Sequence, residues 1–592
     1  DSTNRDEWED GQQLLPDDAV DLLLLSPERL NNPAFRERML PLFASRTGLL
    51  VVDEAHCVSD WGHDFRPDYR RIGDVLERLP GGVGVLGTTA TANDRVVADV
   101  TEQLSDGRQD GLRLYRGALA RTSLRLEVVE MPHPAHPLAW LVERLPQLTG
   151  SGIVYTLTKR DAEAVARFLS AHGVSAEPYS GERASEERIA VEERLLSNDV
   201  KAVVATSALG MGYDKPDLGF VVHFQAPGSV VAYYQQVGRA GRGVDHADVV
   251  LLRGAEDKRI QDFFIEQAFP RREHVATVLD MLDPQDGLTT REISAGVNLG
   301  LGRLEAMLKV LDVEGAVTRK GTKWLLVPDS GWTYEADRYK AVTELRRAEQ
   351  RAMAAFGADG RCLMRTLQEE LDDPDPQDCG RCSVCAGPLF DAAPDAELVR
   401  AAQANLRSQP LSFEPKRMAP DGEGAMRKIP EELRVEDGRA LARAGDAGWS
   451  AEIESGLAAG RLGDDVVEAA AQLVREWGIH PAWVAAVPSR REGETGDLVT
   501  EIGARLAAAL NLPFHDVLAR AQERPPQSEM RNAAQQVGNV RGAYTVNGKV
   551  PAGPCLLVDD RRQSGWTVAM VGGQLRQRGA GPVYPLVLTS AF

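Results

Sequence analysis

Short apolar runs alternate with stretches of helical periodicity through the first half of the sequence. Strand-length apolar runs occupy residues 20–25, 49–52, 83–87, 152–156, 202–205 and 220–224. Helical patterns lie between them, with clear examples at 161–172 and 185–196. This alternation predicts βαβ units, in which parallel strands are covered by helices on both faces. We expect part of one α/β domain over 1–120 and a second α/β domain over 121–270.

The pattern changes after residue 270. Residues 289–293 and 302–314 predict a short and a longer helix, and Lys320-Gly321-Thr322 then separates two strand-like runs, which is a hairpin signal. This order predicts a winged-helix-like segment over 271–328, with a small helical scaffold as the alternative. The remaining segments are expected to be a largely helical module over 329–388, a linker over 389–430 and a further α/β domain over 431–592.

Composition is typical of a globular protein of three to five domains, with 43% hydrophobic and 26% charged residues in a chain of 592. No apolar run approaches the about 20 residues needed to cross a bilayer, so we expect a cytoplasmic protein without a membrane partner. The net charge of −20 gives no general attraction to nucleic acid, so DNA contacts must come from local basic and aromatic residues. Four of the six cysteines cluster, which indicates a metal site in a reducing compartment.

The most informative stretch runs from residue 51 to 72, VVDEAHCVSDWGHDFRPDYRRI. Its apolar strand ends at Asp53 and Glu54, so both carboxylates lie where parallel sheets bind ligands. Asp53 is suited to hold Mg²⁺, and Glu54 is suited to orient and deprotonate an attacking water. His56 follows within one turn and is suited to couple this site to the segment after it.

The complete string resembles the DEAH box of RecQ-family DNA helicases and the aromatic-rich loop that follows it. The resemblance implies that this loop senses DNA and couples it to ATP hydrolysis. Aromatic faces can stack on bases with little sequence preference, at about 1–3 kcal/mol each. Burial of the aromatic rings in a core is the alternative. The expected DNA-contacting residues of the loop are Trp61, His63, Phe65, Arg66 and Tyr69.

Further segments resemble the other motor motifs of this family, in the same order. Residues 26–30 resemble the DNA-contacting motif upstream of the DEAH box, with Pro27, Glu28 and Arg29 as expected contacts. Residues 87–92 resemble the Thr/Ala motif that links hydrolysis to unwinding, with Thr88 near the nucleotide. Residues 152–161 match the start of the second motor domain. Residues 205–212 resemble the motif that contacts the tracking strand, with Thr206 and Met211 toward DNA and Gly210 toward the nucleotide.

Residues 233–242 resemble the last motor motif, in which an arginine stabilises charge on the transferred phosphoryl group. Either Arg239 or Arg242 is expected to be that arginine, the other acting as a clamp, and a solvated loop is the alternative. The remaining expected residues are Gln236 in catalysis, Gly238 at the nucleotide and Tyr234 at DNA.

The sequence departs from the family before Asp53. The family carries a glutamine motif and a G-x-x-x-x-G-K-[ST] phosphate loop there, whereas Gly-Lys occurs here only at Gly548-Lys549, without the preceding glycine. We expect that the chain is a truncated form whose phosphate loop precedes Asp1, and that the chain as printed binds ATP poorly.

Cys362, Cys379, Cys382 and Cys385 form a C-x₁₆-C-x₂-C-x₂-C pattern. Such spacing directs four thiolates to one point and predicts a closed structural zinc site, with an iron–sulfur cluster as the alternative. The RecQ family has this pattern in a zinc module, preceded by a helix like that expected at 346–365. The winged-helix-like segment here precedes the module instead of following it, so the family's strand-separating hairpin is not transferred. Lys320 and Lys323 of the candidate wing are expected duplex contacts.

In the C-terminal region, Asp559 and Asp560 follow an apolar strand and are themselves followed by Ser564, Gly565 and Thr567. This region resembles phosphoribosyltransferases and their short forms attached to some bacterial RecQ-like helicases. In that family the acids hold ribose hydroxyls and the loop wraps a phosphate, so phosphoribosyl pyrophosphate or another phosphate ligand is expected. Residues 484–490 resemble the strand and loop that would face pyrophosphate. Arg561-Arg562-Gln563 departs from the family pattern and puts transferase activity in doubt.

The leading hypothesis is a bacterial RecQ-like helicase that uses ATP, Mg²⁺ and Zn²⁺ and moves 3′ to 5′ in recombination and repair. Single-stranded DNA and 3′-tailed duplex are the expected substrates, and the resemblance also allows a single-strand-binding protein as a partner. One alternative is a phosphoribosyltransferase-type nucleotide enzyme with a DNA-binding helicase remnant. Another is a translocase that moves on single-stranded DNA without separating duplex.

Overall fold

A computed structural model describes residues 20–59, 67–80, 82–105, 111–181, 183–209, 213–254, 256–267, 270–391, 393–408, 411–420, 426–446, 448–489, 492–493 and 496–591. The chain divides into two compact units. One comprises residues 1–269, 309–316 and 331–399, and the other comprises 270–308, 317–330 and 400–592. Within the described ranges, no helix is long and apolar enough to span a membrane.

The first α/β domain is built on two parallel strands, β1 (Leu49–Val52) and β2 (Gly84–Gly87), paired from Leu49 with Gly84 to Val52 with Gly87. Its helices are α1 (Pro33–Arg38), α2 (Leu40–Ala44), α3 (Ile72–Leu76) and α4 (Asp94–Ser105). Residues 20–25 were predicted to form a strand, but among the described residues they pair with no strand. Leu22 and Leu24 are accordingly 75% and 82% exposed. An apolar run becomes a strand only where a neighbour accepts its backbone hydrogen bonds.

The second α/β domain confirms the predicted parallel sheet. Its six strands are β3 (Leu124–Met131), β4 (Gly152–Tyr155), β5 (Ala176–Tyr179), β6 (Ala202–Ala205), β7 (Phe220–His223) and β8 (Ala247–Gly254). They lie in the order β3-β8-β7-β4-β6-β5 and all pair in parallel. The helices are α5 (Ala135–Arg144), α6 (Lys159–Ala171), α7 (Ser185–Leu196), α8 (Val230–Val237) and α9 (Asp257–Gln267). Strands β4, β6 and β7 are buried along their whole length, as expected for strands covered on both faces.

A helical module packs on the second α/β domain. It contains α13 (Ala336–Ala355), α14 (Leu363–Glu370) and α15 (Ser383–Ala386). The single helix predicted over 346–365 is therefore two helices. Gly357 and Gly360 between them have φ angles of 78° and 71°, a left-handed conformation that ends a helix. Phe356, Leu363 and Leu367 share one apolar core with the strands of the domain.

In the second unit, a small segment precedes the helical module in the sequence. It contains α10 (Arg272–Met281), β9 (Leu288–Thr289), α11 (Thr290–Gly296), the first part of α12 (Leu301–Val313), β10 (Val317–Lys320) and β11 (Lys323–Leu326). The strands pair antiparallel in the order β10-β11-β9. Thr289 and Glu292 form a reciprocal capping box at the start of α11. Gly321, with a φ of 63°, makes the hairpin turn.

The C-terminal region contains a five-stranded sheet. Its strands are β12 (Leu411–Phe413), β15 (Gly438–Arg443), β16 (Trp483–Ala486), β21 (Cys555–Arg562) and β22 (Val583–Ser590). They lie in the order β12-β15-β22-β21-β16, in which β12 is an antiparallel edge strand and the other strands pair in parallel. Short strand pairs are formed by β13 (Met418–Pro420) with β14 (Met426–Lys428), β17 (Glu492–Gly493) with β18 (Gly496–Asp497), and β19 (Leu518–Arg520) with β20 (Tyr544–Val546). The helices are α16 (Ala396–Arg407), α17 (Ser450–Ala459), α18 (Asp464–Glu476), α19 (Leu498–Leu510), α20 (Ala533–Val540) and α21 (Trp566–Gln577).

The structure differs from the predicted linker over 389–430. This stretch contains α16 and three short strands, one of which extends the C-terminal sheet. Three-residue strands are too short to produce a visible alternation, and β12 is specified by packing: Phe413 lies against Gly438, where a Cβ would approach its ring to 2.2 Å.

Candidate functional site

The paired acids lie directly after β1, beside the segment that follows β2. Asp53 Oδ1 accepts hydrogen bonds from Thr88 Oγ1 at 2.7 Å and from the Glu54 amide at 2.9 Å. The backbone extends this contact, because the Thr88 amide donates to Val52 and the Ala55 amide donates to Thr88. The two motifs are thus joined by side chains and backbone. The Asp53 carboxylate is oriented at the carboxyl end of a parallel strand, and oxygen ligands of this kind suit Mg²⁺.

Glu54 has a left-handed backbone conformation, with a φ of 50°. Its Oε2 atom lies 3.2 Å from Nδ1 of His56, whose side chain is fully buried. The same His56 nitrogen lies 3.0 Å from Thr89 Oγ1. His56 therefore lies between the acid suited to activate water and the Thr/Ala segment. Non-glycine residues in this conformation are uncommon and concentrate at functional sites.

Most of the predicted aromatic DNA-sensing loop lies outside the described residues. This applies to Trp61, His63, Phe65 and Arg66. Tyr69 is described and is buried in the core of the first domain, so a contact with DNA would require it to leave that core. Pro27, Glu28 and Arg29 lie together in a 3₁₀ helix, Pro27–Asn31. Thr206 follows β6, whereas Gly210 and Met211 also lie outside the described residues.

The last predicted motor motif is formed by α8 and the turn after it. The Tyr234 hydroxyl donates to the Leu119 carbonyl at 2.6 Å, and Gln236 Oε1 lies 2.7 Å from Nε2 of the buried His223. Burial lowers the pKa of His223 to about 4, so the imidazole is neutral at physiological pH. Tyr234 is itself buried, with 7% of its surface exposed.

The two predicted arginines differ in exposure. Arg239 is buried and donates to the Tyr213 carbonyl at 3.1 Å. The Arg242 side chain is 43% exposed and pairs with Asp214 at 2.8 Å. Arg121, which the sequence analysis missed, donates to the carbonyls of Gly238 and Ala240 and so holds the turn between them. Arg121 has no recognisable local pattern, because its partners lie more than a hundred residues away.

The four cysteines come together within the helical module. Their sulfur atoms all lie within 4.8 Å of one another. Cys362 Sγ is 3.5 Å from Cys379 Sγ and 3.9 Å from Cys382 Sγ. Four thiolates at the zinc–sulfur distance of about 2.3 Å in a tetrahedron are separated by about 3.8 Å, so the cluster fits one zinc ion. A cluster of several irons would require a larger space between the sulfur atoms.

The predicted phosphate-binding loop that follows Asp559 and Asp560 lines a cavity of about 470 Å³ in the C-terminal region. The predicted residues Asp559, Asp560, Ser564, Gly565 and Thr567 all contribute to its wall. Strand β21 continues to Arg562, so the acids lie within the strand and not at its end as predicted. Burial, together with the charge of Asp560, raises the pKa of Asp559 well above its usual range.

The two arginines that depart from the phosphoribosyltransferase pattern lie against neighbouring side chains. Arg561 pairs with Glu454, and Arg562 donates to Ser590 Oγ at 3.0 Å while lying over the ring of Phe413. Gly565 has a φ of 81° and is the N-cap residue of α21. Arg562 Nε lies 3.1 Å from the position that a Cβ at Gly565 would take. This arginine is therefore beside the predicted phosphate-binding loop, Ser564 to Thr567.

Residues 529–532, which follow the cavity-lining residues Gln527 and Ser528, contact the small segment of the same unit. Asn532 Oδ1 caps α20 through the Gln535 amide at 2.9 Å, while its Nδ2 donates to the Ser294 and Val297 carbonyls at 2.8 and 2.6 Å. Asn298 reciprocates by donating to the Glu529 carbonyl and accepting from the Arg531 amide, each at 2.7 Å. We call this set of contacts the asparagine joint.

An acidic pair at a strand end in one α/β domain and an arginine-bearing turn in the next define a two-domain helicase motor. The family described as DEAD/DEAH box helicase matches residues 2–100, and the helicase conserved C-terminal domain matches residues 138–244.

Three curated relatives are similar to the chain. The probable ATP-dependent DNA helicase RecS of Bacillus subtilis is 33% identical over 372 residues, 62% of this chain and 71% of RecS. The ATP-dependent DNA helicase RecQ of B. subtilis is 36% identical, covering 43% of this chain and 42% of RecQ. The RecQ-like DNA helicase blm-1 of Caenorhabditis elegans is 37% identical, covering 38% of this chain and 23% of that protein. The chain thus spans most of RecS but less than half of the other two. It belongs to the RecQ-like ATP-dependent DNA helicases.

Proposed function

We propose that this chain provides the hydrolysis and DNA-coupling parts of a helicase that moves 3′ to 5′ on DNA in recombination and repair. The observation that carries the proposal is the contact of Asp53 with Thr88 and of His56 with Thr89. These contacts join the acids suited to hydrolysis directly to the Thr/Ala segment, which the family resemblance links to unwinding. A change in the acid site is then transmitted through two hydrogen bonds.

The positions of the acid-site residues and of the two arginines support a separate role for each of them. Asp53 would hold Mg²⁺, directly or through water, and the ion would neutralise charge on the nucleotide phosphates. Glu54 would orient and deprotonate the attacking water, with His56 holding its carboxylate. Arg242 is favoured over Arg239 as the arginine that stabilises the transferred phosphoryl group, because its guanidinium is half-exposed whereas Arg239 is buried.

The test compares a Glu54→Gln variant with the wild type, in a preparation that includes a G-x-x-x-x-G-K-[ST] loop. We expect DNA-stimulated ATPase and unwinding of 3′-tailed duplex to fall together by about 10²-fold or more, the range for loss of an activating base. Glu130→Gln, at an exposed acid paired with Arg253, is the matched control. Unwinding that survives Glu54→Gln would contradict the proposal. If Glu54→Gln lowers ATPase activity but the wild type itself does not unwind duplex, the single-strand translocase is favoured.

A second test uses the 592-residue chain itself. It contains no G-x-x-x-x-G-K-[ST] sequence, so we expect it to bind ATP weakly and to show no steady-state hydrolysis. Fluorescence titration with a labelled ATP analogue measures the affinity. Normal steady-state ATPase from the 592-residue chain would contradict this expectation.

A second function is supported by the C-terminal cavity, which we propose binds a phosphorylated ribose. Its volume of about 470 Å³ lies within the range for small-molecule sites. Asp559 and Asp560 would accept from ribose hydroxyls, and the Ser564–Thr567 turn would donate to a phosphate at the start of α21. Isothermal titration with phosphoribosyl pyrophosphate tests this, with Asp560→Asn as the variant and Asp437→Asn as the control. Absence of binding heat at millimolar phosphoribosyl pyrophosphate would contradict the proposal. Release of pyrophosphate from this ligand would favour the phosphoribosyltransferase hypothesis.

A further inference from the structure

The end of α14 carries an acidic residue where local structure favours glycine. Asp372 has a φ of 53°. After the helix, the Asp372 amide donates to the Glu369 carbonyl and the Asp373 amide donates to the Gln368 carbonyl. This pattern is a Schellman motif with Asp372 at its left-handed position, which glycine occupies most readily. The aspartate side chain is therefore not required to end the helix.

That side chain instead caps a helix in the first α/β domain. Asp372 Oδ2 accepts from the Asp94 amide at 2.9 Å. Asn93 already caps the Val96 amide at 3.1 Å, so Asp372 satisfies another of the free donors at the start of α4. A negative charge at a helix N-terminus is also favoured by the helix dipole.

An arginine reinforces this contact. Arg116 Nη1 donates to the Asp372 carbonyl at 2.9 Å and to Asp94 Oδ1 at 2.8 Å, and its Nη2 donates to the Ala92 carbonyl at 3.2 Å. One guanidinium thus links the end of the Thr/Ala segment, the first turn of α4 and the end of α14.

The two helices at the ends of this contact belong to different parts of the motor. Helix α14 follows Cys362 and shares its core with Tyr234 and Val237 of α8, so it is fixed to the second α/β domain. Helix α4 directly follows residues 88–92, whose threonines contact Asp53 and His56. The backbone from Thr88 to Asp94 therefore connects the hydrogen bonds of the acid site to those of the cysteine module.

We propose that Asp372 is a positioning residue that fixes the Thr/Ala segment of the first domain to the cysteine module on the second. Its effect on hydrolysis rests on the function proposed above, whereas its effect on the start of α4 does not. Loss of the carboxylate releases the first turn of α4 and lets the segment before it move away from the acid site.

Two substitutions separate the side chain from the backbone. Asp372→Asn keeps an oxygen that accepts from the Asp94 amide, and Asp372→Gly removes it. Both residues tolerate the left-handed conformation, so the end of α14 is preserved in each. Asp378→Asn, at an exposed acid of the same loop, is the control for charge.

The primary measurement is amide hydrogen exchange in the 592-residue chain. We expect Asp372→Gly to accelerate exchange at residues 94–97 by about tenfold, as for loss of a charged hydrogen bond, and Asp372→Asn to retain most of the protection. Zinc content and exchange within α14 should be unchanged in both variants. Equal exchange at residues 94–97 in the wild type and Asp372→Gly overturns the proposal.

The second measurement is DNA-stimulated ATPase in the preparation that contains a phosphate loop. We expect Asp372→Gly to lower kcat about tenfold with KM for ATP unchanged, and Asp372→Asn to restore kcat. Unchanged kcat in Asp372→Gly overturns the role in hydrolysis. A wild type without ATPase removes the proposed function instead, and the exchange measurement still decides whether Asp372 holds α4.

Discussion

The asparagine joint allows a prediction whose magnitude can be divided between the helix cap and the two hydrogen bonds that Asn532 donates across the joint. Replacing Asn532 by alanine removes the cap of α20 and both donors to the α11 end. Loss of an N-cap costs about 1 kcal/mol, and each lost hydrogen bond about 0.5–1.5 kcal/mol. We therefore expect local opening of the joint to become easier by about 2–4 kcal/mol in Asn532→Ala. Asn532→Ser keeps the capping oxygen but not the two donors, so it should lose about 1–3 kcal/mol.

Two amides report the two parts separately in hydrogen exchange. The Gln535 amide is protected by the cap, and the Arg531 amide is protected by Asn298 across the joint. In Asn532→Ser, exchange at Arg531 should rise about tenfold or more while Gln535 stays protected, and in Asn532→Ala both should rise. Asn539→Ala, in the same helix but bonded to Pro525, is the control. Unchanged Arg531 exchange in both Asn532 variants would show that these hydrogen bonds do not hold the joint.

Three further outcomes are expected. Metal analysis should find about one zinc per chain, lost in Cys382→Ala, and a brown iron–sulfur chromophore would refute this assignment. Burial raises the pKa of Glu127 from 4.5 to about 7, so the free energy of unfolding should fall as pH rises through this window. Glu127→Gln should abolish that fall in thermal melts, and an identical pH profile would contradict it. Tyr234→Phe should cost about 1 kcal/mol of stability by removing the bond to Leu119 and leave single-stranded DNA affinity unchanged in anisotropy titrations. A tenfold loss of affinity would instead indicate that Tyr234 contacts DNA.

Features whose parts are close along the chain could be predicted from the amino-acid sequence. The parallel sheet of the second domain was predicted because its strands β4, β6 and β7 are continuous apolar runs between helical patterns. The three cysteines from 379 to 385 are close along the chain, and this spacing together with a fourth cysteine beside a helix predicted that the four sulfur atoms converge. The hairpin at Gly321 follows from a single glycine at the turn. In each case the physical constraint acts over a few residues.

Features that join distant segments became apparent only in the folded chain. The cap of α4 by Asp372 spans 278 residues, and the asparagine joint spans more than 230. No local periodicity marks such residues, because a lone aspartate or asparagine in a loop has the same pattern whether or not it meets a partner. Burial of Tyr69 and Tyr234 was likewise not predictable, since aromatic side chains suit both stacking on bases and packing in a core. Which of these occurs depends on the surface that the rest of the chain brings against them.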